Sequence, residues 1–227
     1  MKAWLDKLTE TFLTSGYYQL MLEGLGNTVI ITLGALVIGV VIGALIATVK
    51  YLAEDNRALA PAAWLCDAYV KIIRGIPVVV LLLIFYFVIF TSSEGVEVAV
   101  LTFGVNSGAY MAELIRSGIH AVDPGQMEAG RSLGLSRLQT MGRVILPQAV
   151  RYILPAIGNE FIALLKETSV AGYVTVVDLT RAGNLVRNNT YDAVNPLLLV
   201  AVLYLAMVLL LTFALENLEK RLAIARR

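Results

Sequence analysis

Five stretches of the chain are poor in charge and rich in apolar residues, and their lengths set the expected architecture. Residues 24–49, between Glu23 and Lys50, run 26 positions without Asp, Glu, Lys or Arg. Residues 75–93, between Arg74 and Glu94, run 19, and residues 193–215, between Asp192 and Glu216, run 23. About 20 apolar residues in a helix cross a hydrocarbon core, so each run predicts a spanning helix. Residues 98–112 give 15 and make a full span once Glu113 is included and the helix ends near Arg116. Residues 147–170 are apolar overall, although they carry Glu160, Lys166 and Glu167. The pattern predicts an all-α integral membrane chain, one domain over residues 1–227, with five spans.

Lys and Arg orient these spans. With the N-terminus outside, residues 50–74, 116–151 and 217–227 face the cytoplasm and hold 13 of the 18 basic residues. The outer segments hold Lys2, Lys7, Arg181 and Arg187, and Lys166 lies within a span. That asymmetry is the positive-inside pattern, and an odd span count then places the C-terminus inside. Trp4, Leu5, Leu8 and Phe12 recur at helical spacing, which predicts an amphipathic helix over residues 1–18 lying on the outer membrane surface. Asp6 and Glu10 in that stretch argue against a cleavable signal peptide. Within the first span, Ala35, Gly39, Gly43 and Ala47 form a stripe at four-residue spacing. Small residues there predict close approach of another helix, as generic packing rather than a dedicated dimer seam.

Composition narrows the class further. Apolar residues make up 58% and charged residues 15%, with a mean hydropathy of +0.76, against roughly 45–50% and 25% in soluble domains. An ordinary soluble enzyme and a disordered chain are excluded. A net charge of +1 gives no reason to expect nucleic acid. One cysteine, Cys66, and one histidine, His120, rule out a disulfide scaffold and a Cys/His metal site; both are read as structural.

The most informative polar stretch is residues 123–149, between the third and fourth spans. Asp123 is placed to N-cap a helix, with Pro124 at its first position and Gln126 closing a capping box. Gly134 is placed to end that helix in the left-handed conformation. Ser136 and Gln139 form a second capping box, opening a helix that runs toward Pro147. The loop therefore reads as two short helices joined at Gly134, a pre-ordered docking element on the cytoplasmic face.

Glu128-Ala129-Gly130, then Gly134, then Val144-Ile145-Leu146-Pro147 resemble the coupling loop of ABC importer permeases. That family's pattern is Glu-Ala-Ala, three residues, Gly, nine residues, Ile, one residue, Leu-Pro. Spacing agrees throughout; Gly130 replaces the third small residue and Val144 the isoleucine. Arg74-Gly75-Ile76-Pro77, the stretch Asn106 to Glu113, and Asn159-Glu160 with Lys166 to Ser169 resemble the polar amino-acid branch of that family. The likeness extends over about residues 20–220. It implies a type I importer permease with five spans in the bacterial cytoplasmic (inner) membrane. Its expected partners are two ABC ATPase subunits, a second permease subunit, an extracytoplasmic amino-acid-binding protein and membrane lipid. It assigns coupling to the ATPase to Glu128, Ala129, Gly130, Gly134, Leu146 and Pro147. No phosphate-binding GxxxxGK[ST] loop occurs, so the chain is expected to be a transport subunit without catalytic residues or bound cofactor, with ATP and Mg on the partner ATPase.

Ionisable groups inside a span are costly, about 2.5–3.5 kcal/mol at its centre, and are functional candidates. Glu160 and Glu167 are seven apart and share a helix face, about 10.5 Å apart along the axis. Asn106, Tyr110 and Glu113 also share one face. The two faces are read as lining one cavity, with Glu160 and Asn106 as the leading substrate residues. Glu167, Tyr110 and Arg74 are further candidates, Arg74 either for an α-carboxylate or as a positive-inside anchor. Glu113 and Arg116 are expected to pair with each other. An ionised Glu160 favours a cationic side chain, so the substrate leans toward basic amino acids. The alternative is a secondary transporter driven by an ion gradient, which predicts inverted repeats and broken midplane helices; no such repeat is found. A membrane enzyme or a scaffold is a weaker alternative still.

Overall fold

The structure, a computed structural model, describes Phe12 and residues 16–54 and 56–224, with side chains as far as residue 220. The expected amphipathic helix over residues 1–18 lies almost wholly outside the described residues. All regular elements among the described residues are helical: α1 (Tyr17–Ala53), a 3₁₀ turn (Arg57–Leu59), α2 (Ala60–Gly75), α3 (Val78–Ile84) with a π-turn (Phe85–Ile89), and α4 (Gly95–His120). There follow α5 (Gly125–Ser132), α6 (Arg137–Thr140) with a π-turn (Met141–Ile145), α7 (Leu146–Glu167), a 3₁₀ segment (Thr168–Val174), α8 (Leu179–Thr190) and α9 (Asn195–Ile224).

Among the described residues three helices are long and apolar enough to cross a membrane: Tyr17–Ala53, Gly95–His120 and Asn195–Lys220. Residues 75–93 do not make one helix. α2 ends at Gly75, and α3 starts after Pro77, whose ψ of 135° is non-helical. Proline has no N–H to donate and pushes the preceding residue out of the α region, which breaks the run at Ile76. Val78–Ile89 is long and apolar enough for a fourth span only together with Arg57–Gly75, from which it is bent by 105°. α7, with Arg151, Glu160, Lys166 and Glu167, is not among the three.

The chain divides into two compact units. One comprises residues 1–36, 76–104 and 162–212. Its core joins Ile31 and Ala35 of α1 to Leu82, Ala99, Phe103 and Leu164. A second cluster sets Phe12 and Met21 against Leu179, Ala182 and Val186 of α8 and Val200 of α9. Buried polar groups fix the entry to α8: Asn27 Nδ2 donates to the Val177 carbonyl at 2.9 Å, and the Leu179 N–H donates to Thr28 Oγ1 at 3.1 Å. Asp178 caps α8 by accepting from the N–H groups of Thr180 (2.9 Å) and Arg181 (3.2 Å).

Asp178 lies in the segment read as outside the membrane, and its burial pushes the carboxyl up from the ordinary 3.8, against the backbone hydrogen bonds that lower it. A raised carboxyl binds its proton more tightly when folded, so stability falls as pH rises from 3.8 through the folded value and is level above it. The melting temperature of Asp178→Asn minus that of the wild type is therefore expected to rise over that window. Thermal unfolding of the detergent-purified protein at several pH values measures this; a flat or falling difference contradicts it.

The other unit comprises residues 37–75, 105–161 and 213–227. Ile46 packs with Val70, Ala109 and Ala112, and with half-buried Cys66 and Tyr69. A second cluster joins Val122, Ile145, Ala149 and Ile153. The Tyr69 hydroxyl donates to the Val105 carbonyl at 2.6 Å. The small-residue stripe does within the chain what its spacing predicts. A Cβ on Gly39 would sit 2.8 Å from Ser107 Oγ, and one on Gly43 2.5 Å from Met111 Cβ. α1 and α4 approach there to a separation that only glycine permits.

Candidate functional site: a capped hairpin and a polar cluster

The hairpin is built by local hydrogen bonding within the second unit. α5 ends in the arrangement its glycine predicts. Gly134 has φ +83°, the Leu135 N–H donates to the Gly130 carbonyl at 3.1 Å, and the Gly134 N–H donates to the Arg131 carbonyl at 3.0 Å. These are the paired bonds of a Schellman cap. The second capping box is complete: Gln139 N–H donates to Ser136 Oγ at 3.2 Å, and Ser136 N–H donates to Gln139 Oε1 at 2.9 Å.

The first box differs from expectation. Asp123 Oδ1 accepts from the Gly125 N–H at 2.8 Å, but Gln126 does not reach back to close the box. Its Oε1 accepts from Gln148 Nε2 at 3.2 Å instead, stitching α5 to α7. The second helix also does not stop at Pro147. α6 passes through the π-turn Met141–Ile145 directly into α7. Pro147 lacks the N–H that would bond back one turn and its ring crowds that turn's carbonyl; the widened turn just before it accommodates both.

Gly130 has a specific reason to depart from alanine. It is buried against Thr140, and a Cβ there would overlap Thr140 Cγ2. Glu128, Ala129, Arg131 and Ser132 are exposed, and Leu133 is 82% exposed at the tip. Leu146 and Pro147 are also exposed. A rigid cap thus presents an acidic group and a bare leucine outward.

Behind the hairpin the same unit forms a half-open cleft of about 620 Å³, lined among others by Lys50, Asp67, Glu113, Arg116, His120 and Met127. Lys50 Nζ pairs with Asp67 Oδ1 at 2.6 Å, and Arg116 with Glu113 at 2.8 Å. Glu113 is therefore an ion-pair partner, as its spacing predicts.

Of the residues read as substrate-binding, the structure brings four into two local groupings. Glu160 is half-buried and its Oε1 accepts from Ser107 Oγ at 3.2 Å; Asn106, beside Ser107, is 4% exposed. The Arg74 guanidinium lies over the Tyr110 ring, 5.1 Å from its centroid. Glu167, the last residue of α7, falls in the other compact unit. Ser107 was not among the expected residues. It lies 53 positions from Glu160, and its signal was its place in the stretch Asn106 to Glu113. Among the described residues no group of three or more His, Cys, Asp or Glu is arranged to hold a metal.

Residues 39–224 match the family model described as binding-protein-dependent transport system inner membrane component. The chain belongs to this family. It is an inner-membrane permease component of such a transport system. Its relatives include the probable glutamine ABC transporter permease protein GlnM of Bacillus subtilis (strain 168), 34% identical over 208 residues, which cover 90% of this chain and 94% of that one. The arginine transport system permease protein ArtQ of the same organism is 34% identical over 206 residues, covering 89% and 92%. The permease also superposes on a chain of the crystal structure of an amino acid ABC transporter with histidines, at a TM-score of 0.84 and 37% identity, covering 92% and 96%. The permease thus has the type I ABC importer fold. Subunits of this kind are transport components rather than enzymes, and the family works with ATPase and substrate-binding partners.

Proposed function

We propose that this permease imports polar amino acids, basic ones preferred, by alternating access driven by ATP hydrolysis in two separate ATPase subunits. The observation that carries the reading is the hairpin: capped at Gly134 and Ser136, it holds Glu128, Ala129, Arg131, Ser132 and Leu133 outward as a preformed plug. Such a plug fits a groove on a partner, and motion of the partner is passed along the unbroken helical path from Arg137 to Glu167 as rigid-body rocking. Five spans, with the N-terminus outside and the C-terminus inside, put the plug in the cytoplasm, where ATP and Mg are held by the partner. A second permease subunit completes the pathway, and an extracytoplasmic binding protein delivers the amino acid.

Glu160 is the proposed anchor for a cationic side chain, held by Ser107 and flanked by Asn106. Arg74 and Tyr110 are proposed to receive the opposite end of the substrate, and Glu167 to add negative charge. The test is reconstitution with candidate ATPase and binding protein in proteoliposomes. Amino-acid-stimulated ATP turnover with uptake is expected. Uptake without ATP, driven by an ion gradient alone, would establish the secondary-transporter alternative instead.

A further inference from the structure

Arg137 is the first residue of the second hairpin helix, and its side chain faces back rather than out to a partner. Its guanidinium pairs with the Glu54 carboxylate and lies over the Tyr51 ring, 4.9 Å from the centroid. Tyr51 is in the last turn of α1 and Glu54 immediately follows that helix. Both groups belong to the same compact unit as the hairpin. One planar cation thus ties the hairpin's exit to the cytoplasmic end of the longest helix, 83 positions away in sequence. Arginine suits this better than lysine: its flat guanidinium stacks on an aromatic face while its fork of donors holds a carboxylate. The α1 C-terminus also favours a positive charge there.

The pair is partly exposed, with the Arg137 and Glu54 side chains 30% and 56% accessible. Pairs this wet add little to folding stability. Their consequence is geometric, fixing which way the hairpin and α1 move together. We propose that Arg137 is a positioning residue for energy coupling: through Glu54 and Tyr51 it delivers hairpin movement to α1 as well as along α7. This rests on the reading of the hairpin as the ATPase contact.

The experiment uses the assembled transporter in proteoliposomes, with radiolabelled arginine as substrate, and reads arginine taken up per ATP hydrolysed. Arg137→Gln and Glu54→Gln are each expected to lower that ratio by at least about fivefold, the lower end of typical coupling effects, with the ATPase still co-purifying. The double variant should be no worse than the worse single, since both remove one interaction, and Arg137→Lys should fall between Arg137→Gln and wild type. A wild-type ratio in either single variant overturns the proposal. So does a double loss equal to the product of the single losses, or failure of Arg137→Gln to retain the ATPase. A wild-type protein that neither retains an ATPase nor takes up arginine with ATP overturns the proposed function itself, and this inference with it.

Discussion

Gly134→Val is expected to abolish co-purification of the ATPase and ATP-driven uptake while the permease still inserts in the membrane. At φ +83° the position is left-handed, and a Cβ built there meets nothing within 4 Å. The penalty is therefore backbone strain alone, about 1–2 kcal/mol for an ordinary L-residue and more for a β-branched one. Relieving the strain breaks the two cap hydrogen bonds to Gly130 and Arg131, each contributing about 0.5–1.5 kcal/mol. α5 has eight residues, too few to persist as an isolated helix, so a loss of roughly 1–3 kcal/mol lowers the folded-to-unfolded ratio of the hairpin by about 5- to 150-fold. A graded series isolates the cause: Asn, which visits the left-handed region, retains most binding, Ala less and Val least. Hydrogen exchange over residues 125–134 should rise in the same order. Normal ATPase binding by the valine variant would remove the hairpin from the coupling mechanism.

Glu160→Gln is expected to lower the preference for arginine over glutamine by about 10- to 150-fold, corresponding to the roughly 1.5–3 kcal/mol of a hydrogen bond to a charged group. The substitution keeps an acceptor for Ser107 Oγ, so the change isolates the charge from the packing. Ser107→Ala should move the same ratio by only a few fold, because it loosens the carboxylate without neutralising it. Competition uptake in proteoliposomes with labelled arginine and unlabelled glutamine measures both. An unchanged ratio in Glu160→Gln sinks the assignment of a cation-binding carboxylate and leaves specificity to the binding protein.

These two sites differ in how readable they were. The hairpin was legible because capping is a matter of neighbours: Gly134 supplies the positive φ, and Ser136 and Gln139 are three apart. Where a competing partner lay farther off, the local reading failed. Gln126 closes no box because Gln148, brought alongside by the fold, offers its amide. Pro77 carried a local signal that a count of uncharged residues overlooked, so residues 75–93 read as one span and not as a broken pair. The small-residue stripe announced a close approach, yet nothing in it named Ser107 and Met111 as what approaches.

The sequence by itself determined the apolar helical class, the capped polar hairpin and the presence of carboxylates within apolar segments. Each follows from interactions within a turn or two, where residue type and spacing suffice. Tertiary structure alone decided that Ser107 serves Glu160, that Arg74 covers Tyr110, and that Arg137 grips Glu54 and Tyr51. Those pairings join residues 36 to 86 positions apart, and only the packing of distant helices brings such groups within hydrogen-bonding or ring-contact distance.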